Sequence, residues 1–577
     1  MPPQARPWCV AQEDRKGSSD LAAALGIPRI AAHLLMLRGI TTSDQGWRFL
    51  LPALDHISDP FLLTDMRVAV DRIAVARSRG EFVQVFGDYD VDGIAGTCIL
   101  VNALRRFGIE RCAYGMPSRL TEGYGLTAEH VENARNAGVD LIITVDNGIN
   151  AREAARAARA GSIDLIVTDH HQIEGELPDA AAIVNPKREP PEFGSADASG
   201  AAVAFKLAWA LTGEIRDLDL AALGTVADVV PLRGENRALV AMGLEAMMRE
   251  PRVGLVALAM SAGFDISEVT AEKIAFQLAP RLNAAGRLGD GLIPLELLLT
   301  SSVREAARMA AELSEVNRQR REIEKDIYDE AVCAIESLGP VGPAIVLASR
   351  SWHPGVIGIV ASRLFHLYHR PAVLISVDES GVGRGSGRSS DSFDLAGALG
   401  ACRDTLIRFG GHNAAAGLAV DAENLDAFRA AFEAEAARRL EGMEDAAPPL
   451  EIDALVSLSE LDPQLVKTLD QLEPFGCMNP MPLFCSHGVM LLPQSLRELT
   501  GGHVKFVVRQ GAKTMPAVGF RMADSIPPGL EGQDIDIAFT PRFNTWRGET
   551  SIQLILKDIR AGAATGHGRS GAGEKTE

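Results

Sequence analysis

Residues 82–93 read FVQVFGDYDVDG, a short apolar run that ends in three aspartates. The same pattern returns twice along the chain, as DLIITVDNG (140–148) and as IDLIVTDHH (163–171). The segments between these runs have the apolar spacing of helices. Strands that alternate with helices favour a parallel sheet covered by helices on both faces. We therefore predict an α/β domain around these three strands.

Acidic and imidazole side chains follow each predicted strand. Because ligands bind at the carboxyl ends of the strands in such sheets, we expect these groups to share one crevice. Carboxylates that lie close together raise one another's pKa values unless cations neutralise them. Oxygen ligands with an imidazole suit Mn²⁺ or Mg²⁺ better than Zn²⁺. The candidates for this site are Asp88, Asp90, Asp92, Asp146, Asp169, His170 and His171.

Two simpler interpretations compete with a metal site of this kind. A single aspartate at a strand end is usually a turn former or a helix cap. The DYDVDG stretch also mimics a calcium-binding EF-hand loop, which requires glutamate at its twelfth position. Counted from Asp88, the twelfth residue is Ile99, and the segment before the loop is a predicted strand. Three acidic strand ends, one of them carrying two histidines, favour the metal site.

The composition is that of a folded protein with several domains. The 577 residues are 47% apolar and 23% charged, and 57 basic against 76 acidic residues give a net charge of −19. This balance argues against indiscriminate binding to anionic membranes or DNA, although a local basic groove is compatible with it. No apolar run approaches the roughly 20 residues of a membrane span, and residues 1–20 lack a signal-peptide core. Seven scattered cysteines predict reduced thiols in the cytoplasm.

Composition and periodicity divide the chain into six predicted segments. They are an N-terminal helical segment (1–75), a first α/β domain (76–300), a connecting helix (301–340), a second α/β domain (341–445), an OB-like β-barrel (450–560) and a disordered tail (561–577). An OB-fold would bind single strands by stacking bases on aromatic rings. Its candidate residues are Phe506, Phe543 and Trp546, with Lys505, Arg542 and Arg547 for charge. Such aromatics are more often core, so none is assigned individually.

The motifs resemble those of a known superfamily. GDYDVDG (87–93), VDNG (145–148), TDHH (168–171) and GTVADVVPL (224–232) look like the four motifs of the DHH phosphoesterases. Seven more are similar to motifs of the RecJ family within it: MPSRLTEGYGL (116–126), RLNAAGR (281–287), WHPGVIGIVASRL (352–364), GSGRS (385–389), GGHNAAAG (410–417), LEPFGCMNPMPLF (472–484) and FNTWRGETSIQL (543–554). The resemblance covers about residues 8–560. Met478 departs from it, because the family usually has glycine there.

This resemblance implies a 5′→3′ exonuclease specific for single-stranded DNA, with a DHH domain and a DHH-associated domain. It implies two Mn²⁺ or Mg²⁺ ions, Asp146 as their bridge, and the ligands Asp88, Asp90, Asp92, Asp146, His170 and Asp228. His171 then contacts a phosphate or donates a proton to the leaving group. Alternatively, it orients His170. Asp169 is expected to support these histidines rather than to bind metal.

Phosphate-binding residues are predicted in five further motifs. Arg281, Asn283 and Arg287 are expected at a bend between helices, and Arg388 on a Gly-rich turn that forms an anion-binding nest. Between residues 350 and 412, seven arginines face five acids, a weak signal of a nucleic-acid groove. The resemblance adds a 5′-phosphate pocket. The full set of candidates is Arg119, Arg281, Asn283, Arg287, His353, Ser386, Arg388 and His412.

Two other functions remain open from the sequence. One is a DHH oligonucleotidase or phosphatase that acts on nanoRNA or small nucleotides, although such proteins usually lack the β-module. The other is a non-catalytic scaffold that binds single-stranded DNA, although such relatives lose ligands that are all present here. The family implies a single-strand binding protein and a helicase as partners. We expect a monomer without membrane association, and no ATP-binding GxxxxGK[ST] motif occurs.

Overall fold

The computed structural model describes residues 6–118, 122–190, 193–289, 291–441, 449–527, 529–546 and 548–562. The chain divides into two compact units. Unit 1 combines residues 1–53 with residues 447–577, and unit 2 contains residues 54–446.

The N-terminal part of unit 1 consists of one short strand and three helices: β1 (Trp8–Val10), α1 (Arg15–Leu25), α2 (Arg29–Leu37) and α3 (Ser43–Leu50). Asp14 caps α1, and Thr42 forms a capping box with Gln45 at the start of α3. In the described part of the chain, no single helix has the length and apolar composition to cross a membrane. Helices α1 and α2, which are bent by 111° relative to each other, have the required length and apolar composition only when they are counted together.

Unit 2 begins with alternating helices and strands: α4 (Met66–Arg79), β2 (Val83–Phe86), α5 (Val91–Phe107), β3 (Cys112–Gly115), α6 (Ala128–Asn136), β4 (Leu141–Val145), α7 (Arg152–Ala160), β5 (Asp164–Thr168) and β6 (Ala182–Val184). The strands pair in parallel in the order β3-β2-β4-β5-β6. Alternate residues of β4 enter two different core clusters, so both faces of the sheet are covered. The predicted parallel sheet is confirmed.

A helical layer follows this sheet: α8 (Gly200–Thr212), α9 (Leu218–Ala227), α10 (Gly234–Arg249), α11 (Val253–Ala262), α12 (Ala271–Lys273), α13 (Ala279–Leu288) and α14 (Leu292–Leu299). A π-helical segment, Ile274–Leu278, joins α12 to α13. The RLNAAGR motif lies inside α13, so the predicted bend between helices is wrong. Because Ala284 and Ala285 are buried, packing outweighs the weak helix preference of the Asn and Gly beside them.

The predicted connecting helix is α15 (Val303–Leu338), which has 36 residues. Its exposed side carries i,i+4 ion pairs, including Arg318–Glu322 and Lys325–Asp329. Leu313 belongs to the core of the first α/β domain, whereas Ile335 belongs to a core cluster of the second. This single helix therefore contributes to both cores.

The second α/β domain contains β7 (Ile345–Ser349), α16 (Ile357–Tyr368), β8 (Ala372–Val377), β9 (Val382–Arg388), α17 (Leu395–Ala401), β10 (Arg408–Gly411), β11 (Ala415–Asp421) and α18 (Leu425–Leu440). Its strand order is β10-β11-β9-β8-β7. Only β7 and β8 among these strands pair in parallel, and the other pairs are antiparallel. The GGHNAAAG motif forms the β10–β11 hairpin.

The Gly-rich segment 382–388 is strand β9 and not the predicted turn. Glycines occupy alternate positions of this strand, where they allow side chains of the two flanking strands to pack closely. A Cβ atom on Gly385 would lie only 2.7 Å from Cδ1 of Leu418. The alternation leaves Ser386 and Arg388 on the opposite face of the sheet. The motif therefore does not form the predicted nest of main-chain N–H groups.

The C-terminal part of unit 1 contains β12 (Leu450–Ile452), β13 (Ala454–Leu455), α19 (Pro463–Asp470), β14 (Phe484–Leu491), β15 (Arg497–Leu499), β16 (His503–Gln510), β17 (Lys513–Gly519), β18 (Asp534–Trp546) and β19 (Glu549–Ala561). Pairing runs β14-β16-β17-β19-β18 and returns to β14, which closes a five-stranded barrel. This arrangement confirms the predicted OB-like domain.

The N-terminal helices share the core of this barrel. Leu34 and Leu35 of α2 lie in one cluster with Phe484 and Phe539 of the barrel strands. Strand β1 pairs in parallel with β12. No local pattern in the sequence indicates this packing.

The turn of the LEPFGCMNP motif is tied to α2 within unit 1. The Arg38 guanidinium donates to Asn479 Oδ1 at 2.7 Å and to the main-chain oxygen of Pro480 at 2.6 Å. Buried Asn479 also donates to the main-chain oxygens of Leu472 and Pro474. The exposed Met478 adopts a left-handed conformation with φ of 57°. The turn thus keeps the backbone that glycine favours.

Candidate active site

The carboxyl edge of the parallel sheet brings the predicted metal ligands together. His170 Nε2 lies 3.0 Å from Asp146 Oδ1, and it lies 3.7 Å from Asp228 Oδ2 and 3.9 Å from Asp92 Oδ2. The possible ligand atoms fall into groups that are close enough to hold a metal ion. These groups form one continuous cluster, because Asp146 and His170 each belong to two of them. Within each group the ligand atoms lie within 4.8 Å of one another; the groups are Asp88/Asp90/Asp146, Asp92/His170/Asp228 and Asp146/His170/His171.

Asp92 is held by the N-terminus of α8. Its buried carboxylate accepts hydrogen bonds from the N–H groups of Gly200 at 2.6 Å and Ala201 at 2.9 Å. Burial and the neighbouring Asp90 carboxylate nevertheless raise the pKa of Asp92 to about 7. Ser199 caps this helix. The Ser-Gly pair before an apolar helix is a capping signal, but the sequence does not indicate which carboxylate the helix end would meet.

Asp146 and Asp228 complete the acidic cluster from two different elements. Asp146 follows β4 in a left-handed conformation with φ of 61°, and its N–H donates to Thr168 O at 3.0 Å. Burial and then the Asp92 carboxylate raise its pKa. Asp228 follows α9, and burial together with Asp92 raises its pKa to about 8. Protein groups alone do not neutralise these carboxylates.

Two buried atoms at the centre of the cluster lack hydrogen-bond partners within the described residues. They are Asp146 Oδ1 and His170 Nε2, which face each other at 3.0 Å without hydrogen-bond geometry. A buried polar atom without a partner is costly, and it often marks the place of an ion. Oxygen-rich groups with one imidazole are ligands that Mn²⁺ and Mg²⁺ accept. The residues present therefore fit divalent cations.

The DYDVDG loop is fixed from two sides. Asp90 caps α5 by accepting from two N–H groups of its first turn, at 3.0 and 3.1 Å. Asn283 of α13 accepts from the N–H of Val91 at 3.2 Å. Asp88 is buried at the end of β2. Asn283 therefore supports the loop that carries the ligands, whereas the sequence predicted that it would bind phosphate.

Asp169 supports the two histidines, as its position suggested. One of its oxygens accepts from the N–H of His170 and contacts His171 Nδ1, both at 2.7 Å. Burial would lower the pKa of His171, but the hydrogen bond from His171 to Asp169 outweighs it and raises that pKa to about 9. Burial and the neighbouring His171 lower the pKa of His170 to about 4. The pKa values of the two histidines are therefore shifted in opposite directions.

Two residues that contact the cluster were not predicted, although both lie in motifs given above. Asn147 donates to the main-chain oxygens of Phe86 and Val145 and accepts from the N–H of Leu126 at 3.2 Å. It thereby ties two strand ends to the segment that carries Tyr124. The Tyr124 hydroxyl donates to the main-chain oxygen of Asp146 at 2.8 Å. An amide directly after a strand-end aspartate was the available signal for Asn147.

The arginines of α13 point in different directions. Arg281 donates to Ser314 Oγ of α15 and to the main-chain oxygen of Gln277 in the π-helical segment, so its guanidinium is held by these two groups. Arg287 donates to the main-chain oxygen of Gly355 at 3.0 Å. That glycine belongs to the WHPG turn, where His353 Nδ1 accepts from its N–H. Arg287 and His353 thus meet where the two α/β domains touch.

Ser386 and Arg388 lie side by side on β9. The Arg388 guanidinium donates to Ser386 Oγ at 3.0 Å. A Cβ atom on Gly358, in the first turn of α16, would lie 2.9 Å from Ser386 Oγ and 3.1 Å from Arg388 Nη2. Both side chains therefore sit at the N-terminal end of this helix, which favours anions. Arg119 lies outside the described residues.

A cavity of about 670 Å³ opens beside His171. Tyr124, the start of α7 and the His412 turn of the β10–β11 hairpin line it. Both α/β domains of unit 2 therefore contribute to the space next to the acidic cluster.

The predicted OB-domain aromatics differ in availability. Phe506 is fully buried and belongs to the barrel core, whereas Phe543 is exposed. The Trp546 side chain and Arg547 lie outside the described part. Phe520, which was not among the predicted aromatics, is 59% exposed and packs edge-on against His503.

Family models match three parts of the chain. The DHH family N-terminal domain matches residues 82–227, the DHHA1 domain matches residues 342–438, and the RecJ OB domain matches residues 452–558. The parallel sheet with its acidic edge and the domain that follows α15 therefore define a DHH-family protein.

Relatives that match almost the whole chain identify the family within this class. The chain is 37% identical to the single-stranded-DNA-specific exonuclease RecJ of Bacillus subtilis, over 96% of this chain and 70% of that protein. It is 34% identical to the RecJ of Salmonella typhimurium, over 94% and 98%. A crystal structure of Thermus thermophilus RecJ in complex with Mn²⁺ superimposes with a TM-score of 0.82 at 33% identity, over 97% of this chain and 80% of that chain. The chain belongs to the RecJ family.

Proposed function

We propose that this protein is a metal-dependent exonuclease that hydrolyses single-stranded DNA from its 5′ end and releases 5′-mononucleotides. The observation that carries this proposal is the cluster of five aspartates and two histidines at the carboxyl edge of the sheet. Family membership supplies the substrate class, because the RecJ relatives are named single-stranded-DNA-specific exonucleases. A role in DNA repair and recombination follows from the family.

Six side chains of the cluster are the proposed metal ligands. They are Asp88, Asp90, Asp92, Asp146, His170 and Asp228. Solved RecJ structures contain Mn²⁺ or Mg²⁺, which supports the same ions here. Asp146 is proposed as the bridge between two ions, since it belongs to two ligand groups. When bound, such ions acidify a water molecule and neutralise charge on a phosphodiester.

Protein groups then have separate tasks in the hydrolysis. A water oxygen bonds to phosphorus and loses a proton, the bond from phosphorus to the 3′-oxygen breaks, and that oxygen gains a proton. His171 is the proposed donor of this proton, because the Asp169 carboxylate raises its pKa to about 9 and keeps it protonated at neutral pH. Asp169 holds the ring in place through its contact with Nδ1. The products are a mononucleotide and a strand that ends in a new 5′-phosphate.

Recognition of the 5′ end is proposed for Ser386 and Arg388, together with Arg119. A terminal phosphate carries up to two charges and offers oxygens that an internal diester lacks. A guanidinium beside a hydroxyl at the start of α16 can bind those oxygens with charge-assisted hydrogen bonds. The same two side chains would distinguish a strand end from the strand interior.

Two alternatives have less support. An oligonucleotidase for small nucleotides does not require the barrel, which matches the RecJ OB domain over residues 452–558. A non-catalytic scaffold does not require a complete ligand set, and here each predicted ligand lies in the cluster. A cytoplasmic location is part of the proposal, supported by seven free thiols. Association with a single-strand binding protein and a helicase rests on the family alone, and a monomeric state is a further part of the proposal.

The test uses the purified full chain with Mn²⁺ and end-labelled single strands that can be digested from either end, beside a duplex. We expect mononucleotides to be released progressively from the 5′ end of single strands. Asp146→Ala should lower this activity by at least about 10²-fold while single-strand binding is retained, because an essential electrostatic group is lost. Release from the 3′ end, equal digestion of duplex, or a variant with more than about a tenth of the activity would contradict the assignment.

A further inference from the structure

The segment before α8, residues 195–199, holds two of the proposed metal ligands. Its main chain continues into the first two N–H groups of α8, which donate to the Asp92 carboxylate at 2.6 and 2.9 Å. The main chain of Ala198 forms a hydrogen bond with His170. Because hydrogen bonds to metal ligands orient them, the position of this segment decides where Asp92 and His170 point.

The segment after α9, residues 228–231, carries Asp228, the third ligand of the same group. Val229, the next residue, has a left-handed backbone with φ of 60°, which a β-branched residue rarely adopts. Such a conformation persists only where the surrounding structure fixes it. The Val229 side chain is 65% exposed, so its own packing does not supply that restraint. Hydrogen bonds to this segment therefore bear directly on the Asp228 carboxylate.

Asn236, in the first turn of α10, joins these two segments. Its buried side-chain amide donates to the main-chain oxygen of Asp197 at 2.8 Å and to that of Pro231 at 3.1 Å. Asp197 lies in the segment before α8, and Pro231 lies in the segment after α9. A single amide group therefore ties together the two pieces of main chain that hold this group of ligands.

A buried ion pair fixes the start of α10, from which Asn236 acts. Glu235 accepts from the Ser195 hydroxyl at 2.7 Å and pairs with Lys206 Nζ of α8 at 2.8 Å. Lys206 also donates to the hydroxyl and main-chain oxygens of Ser58, at 2.8 and 3.1 Å. Glu235 and Lys206 are both buried. A buried polar network whose members have partners is rigid, so Asn236 has a fixed base.

The ligand group of Asp88, Asp90 and Asp146 rests on hydrogen bonds of its own. Asp90 accepts from two N–H groups of α5. The N–H of Asp146 donates to Thr168 O at 3.0 Å. These contacts come from the sheet and from α5, whereas the Asn236 amide binds the segments before α8 and after α9. The two ligand groups therefore have separate supports.

We infer that Asn236 is a positioning residue for the ion that Asp92, His170 and Asp228 hold, and that its amide sets the spacing of these three ligands. It acts through two main-chain oxygens and touches neither ligand carboxylates nor substrate. The inference rests on the proposed function, because it requires a cluster that holds two ions. Loss of the Asn236 amide should then weaken the binding of one ion and spare the other.

The test is a calorimetric Mn²⁺ titration of the full chain without DNA. We expect two ions per wild-type chain, and Asn236→Ala should weaken the binding of one of them about tenfold, as is common when a group that orients metal ligands is removed. The same ion should be weakened by Asp228→Asn, because Asp228 belongs to that ligand group alone. A higher Mn²⁺ concentration should restore the cleavage rate of Asn236→Ala, which it would not do for a misfolded protein.

The matched control is Asn479→Ala in unit 1. The buried Asn479 amide likewise donates to two main-chain oxygens, those of Leu472 and Pro474. Both alanine variants should lower the melting temperature, but Asn479→Ala should leave the binding of both ions unchanged. This comparison separates the loss of a buried hydrogen-bonded amide from an effect on the metal ligands.

Unchanged Mn²⁺ binding in Asn236→Ala, or equal weakening of both ions, would overturn the inference. If Asn236→Ala does not fold, Ser195→Ala decides, because it removes only the hydrogen bond from the segment before α8 to Glu235. This milder variant should weaken the same ion, and wild-type affinity for both ions would overturn the inference. A wild-type protein that binds fewer than two Mn²⁺ ions would instead refute the two-ion centre of the proposed function.

Discussion

The substitution Gly200→Ala tests the acidic cluster from a residue that binds no metal. Gly200 opens α8, donates its N–H to Asp92, and lies against Asp146. A Cβ atom added there would lie 2.5 Å from Cβ and 2.7 Å from Oδ1 of Asp146. Because ordinary contacts of this kind begin at about 3.4 Å, either Asp146 or the start of α8 must move by about 1 Å in a close-packed interior. Both movements displace a ligand carboxylate.

A displacement of this size is expected to cost about 10²-fold in rate, equivalent to about 2.7 kcal/mol of transition-state stabilisation. Overpacking should also lower the free energy of unfolding by about 1–3 kcal/mol. The rate is measured with a 5′-phosphorylated single strand and saturating Mn²⁺, at a temperature where circular dichroism shows both proteins folded. Calorimetric Mn²⁺ titration then reports on the ligands directly.

The matched control is Gly400→Ala in α17. Its added Cβ atom would meet Phe409 at 3.7 Å, an ordinary contact, and alanine is the better helix former. We expect unchanged activity and equal or slightly higher stability. If Gly200→Ala keeps more than about a tenth of the wild-type rate and binds Mn²⁺ normally, the close approach of α8 does not set the ligand geometry.

Three further outcomes are expected. Arg388→Ala should reduce the rate advantage of 5′-phosphorylated over 5′-hydroxyl strands while salt-dependent binding to long strands changes little; a general backbone contact would instead weaken both substrates and lower the salt slope. Met478→Gly should raise the free energy of unfolding by up to about 1 kcal/mol in urea titrations, because φ of 57° is strained for methionine, and an unchanged midpoint would argue against strain. Mn²⁺ should bind more tightly at about pH 9 than at about pH 6 in calorimetry. Burial and neighbouring carboxylates raise the pKa values of Asp92 and Asp228 to about 7 and about 8. Protons therefore leave these ligands as the pH rises, and the metal no longer competes with them.

The site could be predicted where the chemistry follows directly from local pattern. Strands β2, β4 and β5 are mostly apolar, and parallel strands bring their carboxyl ends to one edge. Asp88, Asp146 and His170 therefore had to lie close together once the sheet was recognised. The DHH motifs narrowed the ligand choice further than periodicity alone could.

Other features depend on contacts between distant parts of the chain. Glycines at alternate positions of β9 were interpreted as a turn, although they create space for Leu418 and its neighbours. Arg281 was predicted to bind phosphate, whereas the structure ties it to Ser314 of the connecting helix. The α8 N-terminus at Asp92 joins residues more than a hundred positions apart. Local propensity carries no information about such partners.

The shared core of the two chain ends has a consequence for synthesis. Leu34 and Leu35 leave the ribosome early, but Phe484 and Phe539, which cover them, are made only after the whole of residues 54–446. At about 5–20 residues per second, the apolar faces of α1 and α2 wait on the order of half a minute or longer for their partners. During that interval these apolar faces are exposed and prone to aggregation, and a chaperone would have to shield them. A circular permutant that joins residue 562 to residue 6 would make these partners consecutive and remove the wait.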